Sequence, residues 1–140
     1  MVSNVDVKLV LSLLGAHEGK IEGRTRIQKE VCILKYRDKV PFDFSFKSYY
    51  YGPYSSELMG TISDLVGMKL IQETVVSTGY SSYRYDYELT HAGRKILDKI
   101  NRTSNSFPHL SSSVRELEDL DLSDLVRLAK TQSGLRSTSA

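Results

Sequence analysis

The chain has 140 residues, 26% of them charged, and a formal net charge of +2 at pH 7. This length predicts one domain with an appendage, large enough to bury a core that needs no metal or disulfide. Such a small net charge does not by itself indicate a nucleic-acid-binding protein, so the placement of the charges has to decide that question.

The cysteine count and the apolar runs indicate the cellular compartment of the protein. Its one cysteine, Cys32, excludes an internal disulfide, and its place in a helical apolar pattern predicts a buried hydrophobe. No apolar run reaches the ~20 residues that span a bilayer, and no basic flank marks a signal peptide. We therefore expect a cytoplasmic protein that does not associate with membranes.

Two helices are predicted in the N-terminal part of the chain, over residues 5–14 and 26–36. Each begins with a hydroxyl residue that is followed three positions later by an acid or an amide, a typical capping pair. The two pairs are Ser3 with Asp6 and Thr25 with Gln28. Apolar residues then recur at helical spacing on one face of each segment.

The second predicted helix carries three cations around its first turn. They are Arg24, Arg26 and Lys29. Cations at a helix N-terminus oppose the helix dipole, at a cost of ~0.3–1 kcal/mol each when exposed. A phosphate-bearing partner would offset this cost, whereas a solvated charged face explains the same pattern without any partner. Residues 20–47 hold eight basic and four acidic residues, so the basic patch belongs to this helix and the loop behind it.

Residues 40–54 form an aromatic segment with three phenylalanines and four tyrosines. The phenylalanines, Phe42, Phe44 and Phe46, alternate with other residues, which predicts a short extended strand. Gly52 and the proline after it predict a turn. Tyrosines beside basic residues can also stack on the bases of single-stranded nucleic acid, and that interpretation stays open.

Ser55 is placed to cap a third helix, predicted over residues 56–66. In a helix-turn-helix protein this is the recognition helix, and the helix before it crosses the DNA backbone. Its outer positions include Glu57 and Asp64, which is a poor charge pattern for a helix in a groove lined by phosphates. This pattern favours contacts that position the protein on phosphates over tight readout of bases.

Residues 70–89 predict a β-hairpin, or wing, that turns at Gly79. Its second strand has three tyrosines on one face, which we expect to pack on the third helix. They are Tyr83, Tyr85 and Tyr87. Thr90 is then placed to cap a fourth helix, predicted over residues 91–101.

Three helices, a hairpin and a fourth helix follow one another in the order of a winged helix-turn-helix. The predicted fold class is therefore α+β, mainly α, with this domain over residues 1–103 and a C-terminal helical appendage. A fold of this kind most often binds DNA.

The predicted appendage consists of a polar linker, residues 104–112, and a tail, residues 113–134. The tail has the pattern of two short helices that break near Asp121, with Ser113 and Ser123 as their caps. Helices this short are unstable alone, so the tail must dock on the domain or on a second subunit. We slightly favour docking that includes a partner chain over docking within one chain. Residues 135–140 are expected to be disordered.

Two segments carry a family resemblance: GRTRIQKEVCILK and FSFKSYYYGPYSSELMGTISDLVGMKLI. With a GRTRIQK helix and a YGPYS turn, they resemble the YwgA-like winged-helix proteins of bacteria and archaea. The segment YELTHAGRKIL is similar to the LTxxG turn after the wing in many PadR-like and MarR-like regulators. The resemblance implies a winged helix that binds DNA, although related-looking modules of toxin and antitoxin systems serve as protein-interaction domains.

Two functional interpretations follow from these patterns. The first is a transcription regulator that binds double-stranded DNA as a homodimer; the alternative is a winged-helix module that contacts a protein partner. Acidic residues on the third helix and the wing favour the alternative, whereas the basic patch and the resemblance favour DNA. The residues predicted to contact DNA are Arg24, Arg26, Lys29, Lys47, Ser48, Tyr50, Ser55, Ser56 and Arg84.

Spacing in the sequence argues against an enzyme. The three histidines, His17, His91 and His109, are scattered singly, and no HExxH pattern or second cysteine offers a metal site. There is no phosphate-binding GxxxxGKS/T or GxGxxG loop and no GxSxG elbow. We therefore predict a protein with no catalytic residues, no metal and no cofactor.

Overall fold

A computed structural model describes residues 4–50, 52–103, 107 and 109–135 of the chain. Over these residues the fold is mixed α+β with helices predominating, as predicted for the broad class. The elements in chain order are α1 Asn4–Ala16, β1 Lys20–Glu22, α2 Arg24–Tyr36, β2 Lys47–Tyr49, β3 Gly52–Tyr54, α3 Ser56–Gly67, β4 Ile71–Gly79, β5 Ser82–Leu89, α4 His91–Thr103, α5 Leu110–Glu118 and α6 Leu122–Ser133.

The larger sheet has three antiparallel strands in the order β1-β5-β4. Strands β4 and β5 form the predicted hairpin, with Ile71 paired to Leu89, so this prediction is confirmed. Strand β1 adds to the outer edge of β5, where Ile21 pairs with Tyr87. A second, two-stranded sheet of β2 and β3 lies in the aromatic segment. Neither β1 nor this second sheet was predicted, because three-residue strands are too short to show a period in sequence.

The core lies between the apolar faces of the first three helices and the inner ends of β1, β4 and β5. Its largest fully buried side chains are Tyr87, Leu9, Leu11, Leu13, Leu14, Ile21, Ile27, Ile33, Leu34, Leu58, Ile62 and Leu65. The prediction that Cys32 is buried is confirmed. Burial raises the pKa of its thiol to about 11, so the thiol is protonated at neutral pH.

Two of the predicted helix caps are confirmed. The Ser55 hydroxyl accepts a hydrogen bond from the Leu58 N–H at 3.1 Å at the start of α3, and Thr90 accepts from the Gly93 N–H at 3.0 Å at the start of α4. Gly93 also allows α4 to lie close to the connection between α3 and β4, because a Cβ there would be 2.1 Å from the carbonyl oxygen of Leu70. The LTxxG letters therefore have a structural explanation.

The predicted cap at Thr25 is wrong. Helix α2 begins at Arg24, two residues before the predicted start, and its N-cap is Gly23, which has φ +100° and provides no side chain. Gln28, the predicted partner of Thr25, bonds to Ser55 instead. In the tail, Asp121 caps α6 in place of Ser123, and α5 starts at Leu110, ahead of the predicted Ser113.

The strand predicted through Phe42, Phe44 and Phe46 is also wrong, although all three rings are buried as the alternation indicated. The segment has no strand partner because side chains from three helices bond its backbone. The Asp43 N–H donates to Asp6 of α1, and the Ser45 N–H donates to Glu57 of α3. Lys35 of α2 donates to the carbonyl of Phe44.

The three tyrosines of β5 do not share one environment, which corrects the prediction that they pack together. Tyr87 is fully buried, Tyr85 is half-buried, and Tyr83 is exposed. Burial of the tyrosines decreases from Tyr87 towards the hairpin tip, because the hairpin extends away from the helices and its tip has no layer to pack against. The Tyr87 hydroxyl bonds to Arg24 and Glu73, not to helix α3.

The tail docks on its own domain. Helix α5 packs on α1, and α6 packs on α2 and β3. The buried apolar residues of the tail are Leu110, Val114, Leu117, Leu125 and Ala129. The apolar faces that motivated the prediction of tail-driven self-association are thus covered within one chain. The predicted cap at Ser3, four of the nine residues of the predicted linker (104–106 and 108), and residues 136–140 of the segment predicted to be disordered lie outside the described residues. Leu135, which was also predicted to be disordered, packs against the core.

A buried carboxylate joins the tail to the helices beneath it. Glu30 of α2 is fully buried, and it accepts hydrogen bonds from His17 at 2.5 Å and from Arg26 at 3.2 Å. The same Arg26 guanidinium donates to the carbonyls of Leu117 at 3.4 Å and Leu120 at 2.6 Å, at the C-terminal end of α5. One cation therefore neutralises Glu30 and also bonds the backbone at the end of α5 and just beyond it.

We predict that Arg26→Ala lowers the free energy of unfolding by ~3 kcal/mol, because it leaves the Glu30 carboxylate buried without its cation. Urea denaturation measures this loss. Arg127→Ala is the matched control, since Arg127 is 75% exposed and pairs with Asp124 on the surface of α6; its loss should be about 0.3 kcal/mol. Equal losses in the two variants would contradict the structural role of Arg26.

Candidate functional site

Hydrogen bonds join the two motif segments that carry the family resemblance. Gln28 of α2 donates to the Ser55 carbonyl and accepts from the Ser55 N–H, both at 2.8 Å. Lys29 donates to the Pro53 carbonyl at 2.6 Å. The QK end of the first motif thus holds the backbone of β3 at Pro53 and of Ser55 after it, and this segment positions the start of α3.

A groove of about 450 Å³ opens between these two segments. One wall is the first two turns of α2, and the other is the β2–β3 hairpin with its tyrosines. The lining residues are Arg24, Thr25, Gln28, Lys29, Tyr49, Tyr50, Gly52 and Tyr54. We call this the tyrosine groove. The rings of Tyr49 and Tyr54 meet edge to face, with centroids 5.3 Å apart, which fixes the hairpin wall.

Helix α6 of the tail supports the hairpin side of the tyrosine groove. Gly52 has φ +98°, a conformation that favours glycine. A Cβ at this position would lie 3.3 Å from Lys130 and 3.6 Å from Val126, both on α6. The glycine therefore permits both the turn and the close approach of the tail, so the groove depends on how the tail is docked.

A second groove, of about 460 Å³, lies on the other side of the start of α2. We call it the hairpin groove, because β5 and the strand before it form one wall; Thr78, Tyr83, Arg84 and Tyr85 line that wall. Arg24 and Thr25 line both grooves. The first turn of α2 is therefore the ridge between two neighbouring concave surfaces.

Arg24 is held at this ridge by contacts within the chain. Its guanidinium carbon lies 3.6 Å from the centroid of the Tyr85 ring, a cation–π contact. Its Nε donates to the Tyr87 hydroxyl at 2.8 Å, and one terminal nitrogen is 3.3 Å from Glu73. Because the side chain is still 43% exposed, Arg24 combines a fixed position with access to solvent.

The first turn of α2 has open backbone donors as well as cations. Gly23 provides no side-chain cap, so the first N–H groups of the helix have no side-chain acceptor from that residue. Their positive potential adds to that of Arg24. The part of the molecule where the two grooves meet is therefore built to face an acceptor or a negative charge.

Lys29 lies in the wall of the tyrosine groove and is only 3% exposed. Burial lowers the pKa of its amine to about 8, and Lys130 on α6 contributes in the same direction. Cys32, one turn further along α2, has the opposite effect. Near neutral pH the Lys29 amine therefore carries a charge that its burial disfavours.

The nine residues that were predicted to contact DNA differ in exposure and in their bonding partners. Lys29 and Ser55 are buried, and Arg26 is 21% exposed in its side chain and bonded to the tail. The expectation that α2 presents an exposed cluster of three cations is therefore wrong for Arg26 and Lys29. The reason is that α6 and the β2–β3 hairpin pack against the side of α2 that carries them.

Two more of the nine are ion-paired at the surface. Arg24 pairs with Glu73, and Arg84 pairs with Asp86 at 2.7 Å and Glu22 at 3.3 Å. The hydrogen bond from Arg84 holds the pKa of Asp86 below its ordinary value. The Ser48 hydroxyl is buried and has no hydrogen-bond partner among the described residues. The exposed remainder is Lys47, Tyr50 and Ser56.

Positive charge is absent from the helix predicted to read DNA and present on another. Helix α3 contains no lysine or arginine. Helix α4 exposes four of them, Arg94, Lys95, Lys99 and Arg102, and none of the four forms an ion pair within the described part of the chain. Sequence analysis also missed Thr25, Tyr49 and Tyr54 as groove residues, although all three lie within or next to the motif letters.

Comparison with known proteins gives a distant relative and no family. No known protein family matches the chain. A Bacillus subtilis (strain 168) protein, uncharacterized protein YwgA, is similar at 29% identity over 117 residues, covering 74% of this chain and 69% of that protein. This supports the YwgA-like relationship that the motifs indicated.

The described residues contain no group of three or more His, Cys, Asp or Glu side chains that could hold a metal ion. None of the helices in that part of the chain has the length and apolar character needed to cross a membrane.

The environment of Lys29 predicts a pH dependence of stability. Its pKa is about 8 in the folded chain and 10.5 ordinarily, so the unfolded chain binds more protons between these values and stability rises with pH across that window. We predict that the free energy of unfolding of the wild type, minus that of Lys29→Met, increases from about pH 8 towards pH 10.5.

Cys32→Ala is the control for the Lys29 measurement and has the opposite sign. The thiol pKa is raised from 9.0 to about 11, so the stability that it contributes is lost as pH rises through that range. The wild type minus Cys32→Ala should therefore decrease with pH, measured by urea denaturation in the same buffers. A flat difference for Lys29→Met would show that its amine is not desolvated as the structure indicates.

Proposed function

We propose that this chain is a winged-helix protein. The order of its elements supports this: α1, β1, α2 and α3 precede a β-hairpin, and β1 pairs with the second strand of that hairpin to give the sheet order β1-β5-β4. In such a protein α3 is the recognition helix, the β4–β5 hairpin is the wing, and the α5–α6 tail is an addition to the domain.

We further propose that the protein acts by binding another protein, without catalysis. The observation that carries this proposal is the tyrosine groove, in which two tyrosine rings and the ridge at Arg24 are exposed beside a fixed hairpin. Tyrosine and arginine are the residues most enriched at the energetic centres of protein interfaces. Tyr50 is 71% exposed, which is unusual for an aromatic ring that serves only the core.

The distribution of charge favours a protein over DNA at this surface. The cations of α2 that motivated the DNA interpretation are engaged with Glu30, Glu73 and backbone carbonyls. Helix α3 has no cation to face phosphates, and its exposed residues include Glu57 and Asp64. Affinity for duplex DNA comes mainly from neutralised phosphates, so this face has little with which to bind it.

A DNA-binding regulator remains the second candidate, because a different helix has the charge that it needs. The four basic side chains of α4 lie on its outer face, with Asp98 as the acidic residue among them. A duplex would contact this face through its phosphates and with little base readout. A homodimer on a two-fold related site would double these contacts.

Selection from a random peptide display library tests the proposed function. We predict that peptides selected on the wild type lose about tenfold or more in affinity for Tyr49→Ala and Tyr50→Ala, since each removes an aromatic anchor. Tyr80→Ala is the matched control, because Tyr80 is fully exposed at the tip of the hairpin and lines neither groove. Fluorescence anisotropy with labelled peptides measures the affinities.

Two results would overturn the protein-binding proposal. One is a set of peptides that bind all three tyrosine variants equally well. The other is salt-dependent binding of the wild type to a short DNA duplex that is removed by Lys95→Gln with Lys99→Gln. That second result would make the DNA-binding regulator the better account, with α4 as its contact surface.

A further inference from the structure

The charged residues that line the tyrosine groove are of one sign. Its lining includes the cations Arg24 and Lys29 and no aspartate or glutamate. Arg24 is partly neutralised by Glu73 at 3.3 Å, whereas among the described residues Lys29 makes no ion pair. The uncapped first turn of α2 adds backbone donors to the same wall. A groove of this composition is complementary to an anionic group.

Lys29 is the buried cation of this groove. Its ammonium group carries three donors, and within the described part of the chain one acceptor, the Pro53 carbonyl, satisfies one of them. The residue is only 3% exposed, and it lines the tyrosine groove. Lys35 shows the contrast, since it donates to a backbone carbonyl in the same way but lies outside the groove and is less buried.

The dimensions of the site select the kind of anion. A duplex is too wide to enter a groove of about 450 Å³, and its phosphates would stay outside, away from a buried amine. A peptide side chain is narrow enough to enter and to place a carboxylate against the wall. The tyrosines opposite, Tyr49 and Tyr54, would then cover the apolar part of the same side chain or of its neighbour.

We propose that the tyrosine groove binds an acidic side chain of a partner protein, with its carboxylate between the Lys29 amine and the first turn of α2. This proposal rests on the proposed function, because it names the chemistry of the partner that the groove accepts. The carboxylate supplies Lys29 with a second acceptor and offsets the unfavourable interaction of Arg24 with the helix dipole. The surrounding tyrosines exclude water and so strengthen the ion pair.

Matched peptides test the proposal directly. Peptides from the unbiased display selection are synthesised with each Glu replaced by Gln and each Asp by Asn, one at a time. We predict one acidic position in each peptide whose replacement lowers the affinity for the wild type about tenfold, the loss expected for a charge-assisted hydrogen bond. The same replacement should have little effect on binding to Lys29→Met. Lys35→Met is the control protein and should discriminate between acid and amide as the wild type does.

A second measurement keeps the proposal testable if Lys29→Met does not fold. The amine of Lys29 loses its proton above about pH 8, and a bound carboxylate favours the charged form. The affinity of the wild type for the acidic peptide should therefore fall above that pH, while its affinity for the amide peptide stays constant. The charged and titratable neighbours of Lys29 include Arg24, Cys32 and Lys130; Cys32 remains protonated in this range because its pKa is about 11.

The outcomes distinguish this inference from the proposed function. Acidic peptides that depend on both Lys29 and the groove tyrosines support both. Peptides that depend on Tyr49 and Tyr50, but bind equally well as acid and amide, overturn the carboxylate site and leave the protein-binding function standing. Peptides that do not depend on the tyrosines overturn both proposals.

Discussion

The buried carboxylate of Glu30 constrains the structure more than any other single group. It is fully buried on α2, so it must be paired, and it is paired by His17 from the end of α1 and by Arg26 from its own helix. Arg26 then reaches the carbonyl end of α5. Helices α1, α2 and α5, the last of which begins the tail, are thus held by one set of polar contacts. Because α6 follows α5 directly and packs behind Gly52, the shape of the tyrosine groove also depends on this set.

The sequence predicted the elements whose periodic pattern extends over many residues or whose N-cap is unambiguous. The hairpin of β4 and β5 and the caps at Ser55 and Thr90 are examples, because alternation and local hydrogen bonds depend only on near neighbours in the chain. Predictions from the sequence were wrong where the residues of a local pattern form hydrogen bonds with residues that are distant in the chain. Gln28 has the spacing of a capping residue relative to Thr25, yet its amide bonds to Ser55, 27 residues later. The phenylalanine alternation correctly indicated burial, but side chains of distant helices took the place of a strand partner.

At the candidate site, local sequence patterns likewise do not show which charged residues are exposed and which are bonded within the protein. A run of cations on a helix reads identically whether they face phosphates, water or the inside of the protein, and the choice depends on what packs nearby. Arg26 bonds to a carbonyl 91 residues away and Lys29 to one 24 residues away, which no local window can reveal. Much of the motif that supports the family resemblance is therefore structural: Gln28 and Lys29 hold β3 and the N-cap of α3 in place. What remains for binding is the set of tyrosines and the start of α2, which the structure brings together as one concave surface.

We propose that the start of α2 and the tyrosine hairpin bind an acidic peptide and not a DNA duplex. Amide chemical-shift mapping tests it most directly. The ¹⁵N-labelled protein would be titrated at low ionic strength with a selected acidic peptide and, separately, with a short duplex. We predict that the peptide shifts the amide signals of Thr25, Gly52 and Tyr54 and that the duplex leaves them unchanged. Shifts of the same three signals by the duplex, with none from the peptide, would contradict it.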